Sequence, residues 1–122
     1  MIVTKKIGFD AAHFLPGYPG KCSKTHGHRW VVELGVTGKV DLETGMVIDF
    51  VELGRFLEEK VEDRFDHTLV NDLIENPTAE IIAGRIKLSW DLWREENCLP
   101  VELAFIRVWE TPDSYAEVGP ND

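Results

Sequence analysis

The sequence predicts an α+β fold in the order ββααββ: a four-stranded antiparallel sheet with two helices on one face. Three observations predict it. Two long segments near the start alternate with a period of two, the middle of the chain carries two stretches with helical apolar spacing, and two apolar runs close the chain.

Residues 2–14 form the first strand. Val3, Ile7, Phe9, Ala11 and His13 share one parity, and Thr4, Lys6 and Asp10 the other, so one face is read as buried. The segment "LPGYPGKCSKT" is rich in Gly and Pro and reads as a loop. In the second strand His26, His28, Trp30, Val32, Leu34 and Val36 share a face, opposite Arg29, Glu33 and Thr37. "VDLETG" makes a turn, and "MVIDF" leads into a helix with Asp49 as its N-cap. Phe50, Leu53, Phe56, Leu57 and Val61 give that helix its apolar stripe. It ends near Phe65, and "DHTLVND" is read as a loop. Asn76 and Pro77 are read as the cap and first-turn proline of a second helix, with Ile82, Ile86, Ser89, Trp90 and Trp93 on one side. "PVELAFIRVWETP" is the third strand and "SYAEV" a short fourth. The second sheet face also carries apolar residues, so it needs a cover, and oligomerisation is expected.

With 122 residues and 13.9 kDa the chain has the length of one domain, read as residues 1–122. A net charge of −9, from 13 basic and 22 acidic residues, argues against a nucleic-acid partner, which requires a basic footprint. The same charge means that an anionic ligand needs a local positive centre. No apolar run is long enough to span a bilayer, and "MIVTKKIGFD" lacks a signal peptide's apolar core. No membrane partner and a cytoplasmic location are expected. Of two cysteines, Cys22 and Cys98, the second has no ligand-type neighbours, and a bridge between them is not expected in a reducing compartment.

Side chains two apart on a strand point to the same face, so His26 and His28 converge. If the first two strands pair antiparallel, the loop at 14–25 brings His13 to the same end of the sheet. Three imidazoles on one face suit a Zn²⁺ ion with an open fourth position, as in catalytic sites. Two other readings stand beside this one. An H-x-H pair alone is a weak motif, and Cys22 has the spacing to serve as a fourth ligand, closing a structural site.

Further candidates are scattered along the chain. Asp66 and His67 sit side by side, either as a proton-transfer pair or as turn and cap residues. Glu110 ends the apolar strand face of Ala104, Ile106 and Val108. It is either an ion-pair partner or a carboxylate that holds a guanidine-like N–H edge of a ligand. Thr78 belongs to the second helix's start, which is also a natural ligand contact.

The motifs "FDAAHFLPG", "KCSKTHGHRWVVELGVTGKVD", "TGMVIDF", "FDHTLVND", "NPTAE" and "WET" occur in this order over residues 7–112. Together they resemble the 6-pyruvoyl-tetrahydropterin synthase superfamily. The C-x₃-HGH spacing and "TGMVIDF" are most similar to its 6-carboxy-tetrahydropterin synthases of queuosine biosynthesis. The resemblance implies a tunnelling fold, in which ββααββ units trimerise into a barrel and two trimers stack as a homohexamer with active sites between subunits. It implies 7,8-dihydroneopterin triphosphate as substrate, with loss of triphosphate and acetaldehyde. It implies zinc on His13, His26 and His28, Cys22 as a catalytic proton acceptor, and Asp66 and His67 as a relay. It also implies that Glu110 anchors the pterin and that Thr78 lines its pocket. The tail "PDSYAEVGPND" departs from the branch's usual ending, with Tyr115 in the place of its final aromatic residue.

The residues suit that chemistry. A metal ion acts as a Lewis acid on side-chain oxygens, a thiolate near a dication has a lowered pKa, and an aspartate-backed histidine shuttles protons. Lys21 and Lys24 are candidate phosphate contacts, set against a reading as solvated loop charges. Two other functions are weighed: a 6-pyruvoyl-tetrahydropterin synthase that stops after triphosphate elimination, and a non-enzymatic zinc-stabilised oligomer.

Overall fold

The structure is a computed structural model that describes residues 1–122. Strands β1 (Ile2–His13) and β2 (His26–Thr37) pair antiparallel along their whole length, with Phe9 opposite Trp30 and His13 opposite His26. The odd positions of β1 and even positions of β2 face inward, and Phe9, Ala11, His13, Trp30, Val32, Leu34 and Val36 are buried as their alternation requires. A turn follows in which the Asp41 carboxylate accepts from the backbone N–H groups of Glu43 and Thr44 at 2.8 and 3.0 Å.

Helix α1 (Phe50–Leu57) starts at Asp49, whose Oδ1 accepts from the Val51 N–H at 2.9 Å. It continues through a π-helical turn, Glu58–Glu62, into a last α-turn, α2 (Asp63–Phe65). Leu53, Phe56, Leu57, Val61 and Phe65 face the sheet, whereas Phe50 in the first turn remains exposed. A two-residue strand β3 (Thr68–Leu69) follows, then the long helix α3 (Ala79–Glu96), β4 (Glu102–Thr111) and β5 (Ser114–Val118).

The sheet is open, in the order β3-β1-β2-β4-β5. It has five strands rather than the predicted four. The fifth, β3, pairs parallel with Ala11 and Ala12 of β1 inside the segment read as a loop. Only two residues make this pairing, too few for an alternation signal. The second correction concerns the start of α3. Asn76 and Pro77 lie outside the helix, and Thr78 is its cap, its Oγ accepting from the Ile81 N–H at 3.1 Å. The Pro77 carbonyl is engaged elsewhere, as described below.

The helices and the inner sheet face enclose one apolar cluster in which Phe56, Trp90 and Trp93 pack edge to face. The outer face is more mixed than its sequence suggested. Arg107 lies over the rings of Phe105 and Tyr115 at 4.1 and 5.1 Å and pairs with Glu117, while Glu33 accepts from Trp109 Nε1 at 2.6 Å. No helix is long and apolar enough to cross a membrane.

Candidate metal centre and its surroundings

The pairing of β1 with β2 creates the centre directly. His13 faces His26 and Ala11 faces His28 in the register, so three imidazoles meet at one end of the inner sheet face. Their ring centroids are 4.6 to 5.2 Å apart, and one ligand atom from each lies within 4.8 Å of the others. His13 is fully buried, and His26 and His28 are partly buried.

Hydrogen bonds select the tautomers of two of the rings. His13 Nδ1 donates to the Pro77 carbonyl at 2.8 Å, and His26 Nδ1 donates to the Lys24 carbonyl at 2.7 Å. This leaves the Nε2 lone pair of each free, the arrangement by which outer hydrogen bonds orient imidazole ligands. Nε2 of His13, His26 and His28 are all buried without a hydrogen-bond partner. Three buried, unpartnered acceptors converging on one point fit a divalent cation, which would satisfy them together. Burial holds the His28 pKa below its ordinary 6.5, opposed by Glu110 and reinforced by His13 and His26, which favours the neutral form that ligates metal.

Trp30, absent from the sequence-derived site, braces the cluster from below. Its indole stands edge-on to His13 and His28 at 4.9 and 5.5 Å, and its Nε1 donates to the Ala11 carbonyl at 3.2 Å. The signal was available, since Trp30 continues the parity of His26 and His28.

Cys22 lies outside the group of candidate ligand atoms. It sits half-buried in a short helical turn, Lys21–Ser23, as a free thiol, and its carbonyl accepts from the Leu15 N–H at 2.7 Å. Cys98 is also free, at the exposed end of α3. Glu110 reaches the centre's rim, with Oε1 3.4 Å from His28 Nε2, a distance for electrostatic attraction rather than a hydrogen bond. Both line an open cleft of about 500 Å³ together with Lys6, Arg29, Glu33 and Trp109.

Asp66 and His67 form a pair at the β1 edge. His67 Nδ1 lies 2.9 Å from Asp66 Oδ2, and Asp66 Oδ1 accepts from the Asp10 N–H at 2.9 Å. Those two hydrogen bonds, the Asp10 one first, hold the Asp66 carboxyl below the usual aspartate range. His67 has φ of 58°, a left-handed conformation costly for a non-glycine residue, and donates its backbone N–H to the Asp10 carbonyl at 2.7 Å. Its exposed ring borders a second cleft that His28 also lines. His28 thus stands between the cleft of Glu110 and the cleft of His67. Thr78 enters the arrangement as the residue following Pro77, with its hydroxyl committed to the helix cap.

The model of the 6-pyruvoyl tetrahydropterin synthase family matches residues 2–121. The chain belongs to that family. Among its relatives, the 6-carboxy-5,6,7,8-tetrahydropterin synthase of Synechocystis sp. is 40% identical over 121 residues, covering 94% of this chain and 90% of its own. The enzyme of the same name from Rickettsia bellii is 31% identical over 137 residues, covering 94% and 97%. A relative from Archaeoglobus fulgidus is 42% identical over 118 residues, covering 97% and 95%. The Caenorhabditis elegans 6-pyruvoyl tetrahydropterin synthase superposes with a TM-score of 0.83 at 24% identity, over 98% of this chain and 94% of that one. The last comparison establishes the shared fold. As a member of the 6-pyruvoyl tetrahydropterin synthase family, this chain is a lyase-type pterin synthase acting on a small-molecule pterin.

Proposed function

We propose that the protein is a zinc-dependent 6-carboxy-5,6,7,8-tetrahydropterin synthase, acting on 7,8-dihydroneopterin triphosphate with loss of triphosphate and acetaldehyde. The observation that carries the metal centre is the convergence of three buried, unpartnered Nε2 atoms. The branch within the family is supported by the names of the relatives from Synechocystis and Rickettsia bellii.

His13, His26 and His28 would hold the ion, and the burial of His28 favours the neutral imidazole that a metal requires. When bound, zinc supplies Lewis-acid polarisation of substrate oxygens and positive charge in a protein of net charge −9. Glu110 sits at the rim of the centre, where its carboxylate can accept two hydrogen bonds from the N–H edge of a pterin and fix the ring. The Cys22 thiolate takes a proton from the side-chain carbon. His67, oriented by Asp66 through Nδ1, offers Nε2 for proton transfer on the other side. Thr78 would contact the pterin from the start of α3, where its hydroxyl also caps the helix.

Cys22 lies outside the ligand group, which supports a catalytic rather than a closed structural site. The His67 ring is exposed, and the clefts of Glu110 and His67 are open in the single chain. Closing them against neighbouring copies accords with one domain, 1–122, assembled as a barrel-forming homohexamer. The test is incubation of the zinc-loaded protein with 7,8-dihydroneopterin triphosphate and identification of the pterin by mass. A 6-carboxy product with acetaldehyde is expected. Accumulation of a 6-pyruvoyl product would assign the protein to the other branch, and absence of triphosphate release would remove the enzymatic reading.

A further inference from the structure

Between Asp10 and Phe14 the outer edge of β1 is satisfied group by group from the segment 66–71. Asp10 exchanges hydrogen bonds with Asp66 and His67, and Ala11 and Ala12 pair with Thr68 and Leu69. Beyond the strand's end the Asn71 carboxamide takes over. Its Oδ1 accepts from the Phe14 N–H at 2.9 Å, and its Nδ2 donates to the Phe14 carbonyl at 2.9 Å. Only one orientation of the amide satisfies both bonds. A half-buried side chain that spends both polar groups on one residue's backbone fixes that residue as a strand neighbour would.

Phe14 is a junction. On one side lies His13, which is held independently by the Pro77 carbonyl and by its register with His26. On the other lies Leu15, whose N–H donates to the Cys22 carbonyl at 2.7 Å and closes the loop. One connected path therefore runs from Asn71 through Phe14 and Leu15 to Cys22. We propose that Asn71 is a positioning residue that sets the placement of the Cys22 thiol relative to the three imidazoles. It thereby ties the thiol loop to the same segment that carries the Asp66–His67 pair. The inference rests on the reading of Cys22 as a proton acceptor, and its own part is the mechanical link from residue 71.

The test uses the full-length, zinc-loaded protein in a Cys98→Gly background, which leaves Cys22 as the sole thiol. Asn71→Ala and the isosteric Asn71→Asp, which keeps the acceptor but loses the donor, are compared with the parent well below their melting temperatures. Three quantities are measured: the rate of Cys22 alkylation by iodoacetamide, kcat and KM for 7,8-dihydroneopterin triphosphate, and zinc per chain. For Asn71→Ala the expected result is alkylation about tenfold faster and kcat lower by about 10- to 100-fold, the scale of a misplaced catalytic group. KM and zinc content should be unchanged, and Asn71→Asp, which turns a carboxylate oxygen against the Phe14 carbonyl, should be affected at least as strongly. Alkylation and kcat equal to the parent in both variants would overturn the proposal, as would loss of zinc in step with activity. Cys22→Ala, run alongside, separates the two ideas. If it retained kcat, the role of the thiol would fall, while the alkylation rates would still decide whether Asn71 controls the loop.

Discussion

His13 Nδ1 and the Pro77 carbonyl meet at 2.8 Å across 64 residues of sequence, joining the end of β1 to the start of α3 in a buried hydrogen bond. The start of the helix is thereby part of the support of the candidate metal centre. Thr78, which caps that helix, holds the peptide carrying the carbonyl.

Replacing Thr78 by Ala should therefore act on two properties. Loss of the cap should cost about 1 kcal/mol of stability, and a loosened Pro77 carbonyl should weaken zinc binding by about tenfold. Thr78→Ser should restore both. Chelator competition reads the affinity. A Thr78→Ala protein with parental zinc affinity and only a raised KM would place the residue's role in substrate contact alone.

The ligand set makes a sharp distinction between two neighbouring substitutions. His28→Ala removes one of three converging acceptors, so zinc content after dialysis should fall well below one per chain. Cys22→Ala should retain zinc and fold but lose activity by two orders of magnitude or more, about 10²-fold at least for a general base. Zinc loss in Cys22→Ala, measured by elemental analysis, would instead make the thiol a ligand.

The depressed pKa of Asp66 gives a pH signature. Its carboxyl titrates below the ordinary 3.8 in the folded chain, chiefly through the Asp10 N–H and then His67. In that window the unfolded chain binds more protons, so the contribution is present above 3.8 and lost as pH falls through the lower folded value. Urea unfolding of the chelated protein should show stability dropping less steeply with acid in Asp66→Asn than in the parent. Equal slopes below 3.8 would contradict the assignment.

Cys98 follows α3 with φ of 50°, where glycine is at ease and a thiol side chain is not. Cys98→Gly should stabilise by about 0.5 kcal/mol, after allowance for glycine's added freedom in the unfolded chain. A shift of the urea midpoint to higher concentration with unchanged slope is the expected result, and a shift to lower concentration the contrary one.

The parts of the fold legible in the sequence are those in which one side chain reports one geometric fact. Alternation in β1 and β2 specified the inner face, and with an antiparallel pairing it specified the meeting of His13, His26 and His28. Asp49 as a cap was legible for the same reason. Backbone-only relationships were not. The pairing of Thr68 with Ala11 leaves no mark on residue type, and neither does the choice of Pro77's carbonyl as the partner of His13. Asn71 lay unnoticed in a stretch read as a loop, because its two bonds go to backbone atoms 57 residues away. The π-helical turn had a trace. Leu57, Val61 and Phe65 are spaced by four, and in an ideal α-helix each such step drifts by about 40° around the axis, whereas all three are buried here.

That wider turn, Glu58–Glu62, also constrains how this chain can change length. It accommodates an extra residue within the helix immediately ahead of Asp66 and His67. Deleting one residue there would restore ordinary winding and leave everything after it in nearly the same phase, because the wide turn with its extra residue sweeps about the same angle as the α-turn it replaces. The pair would stay at the β1 edge while the helix itself became more regular. A deletion in the regular winding of α1 would instead rotate everything after it by about 100°, so a one-residue change of length is tolerated at the wide turn and filtered by angular phase ahead of it.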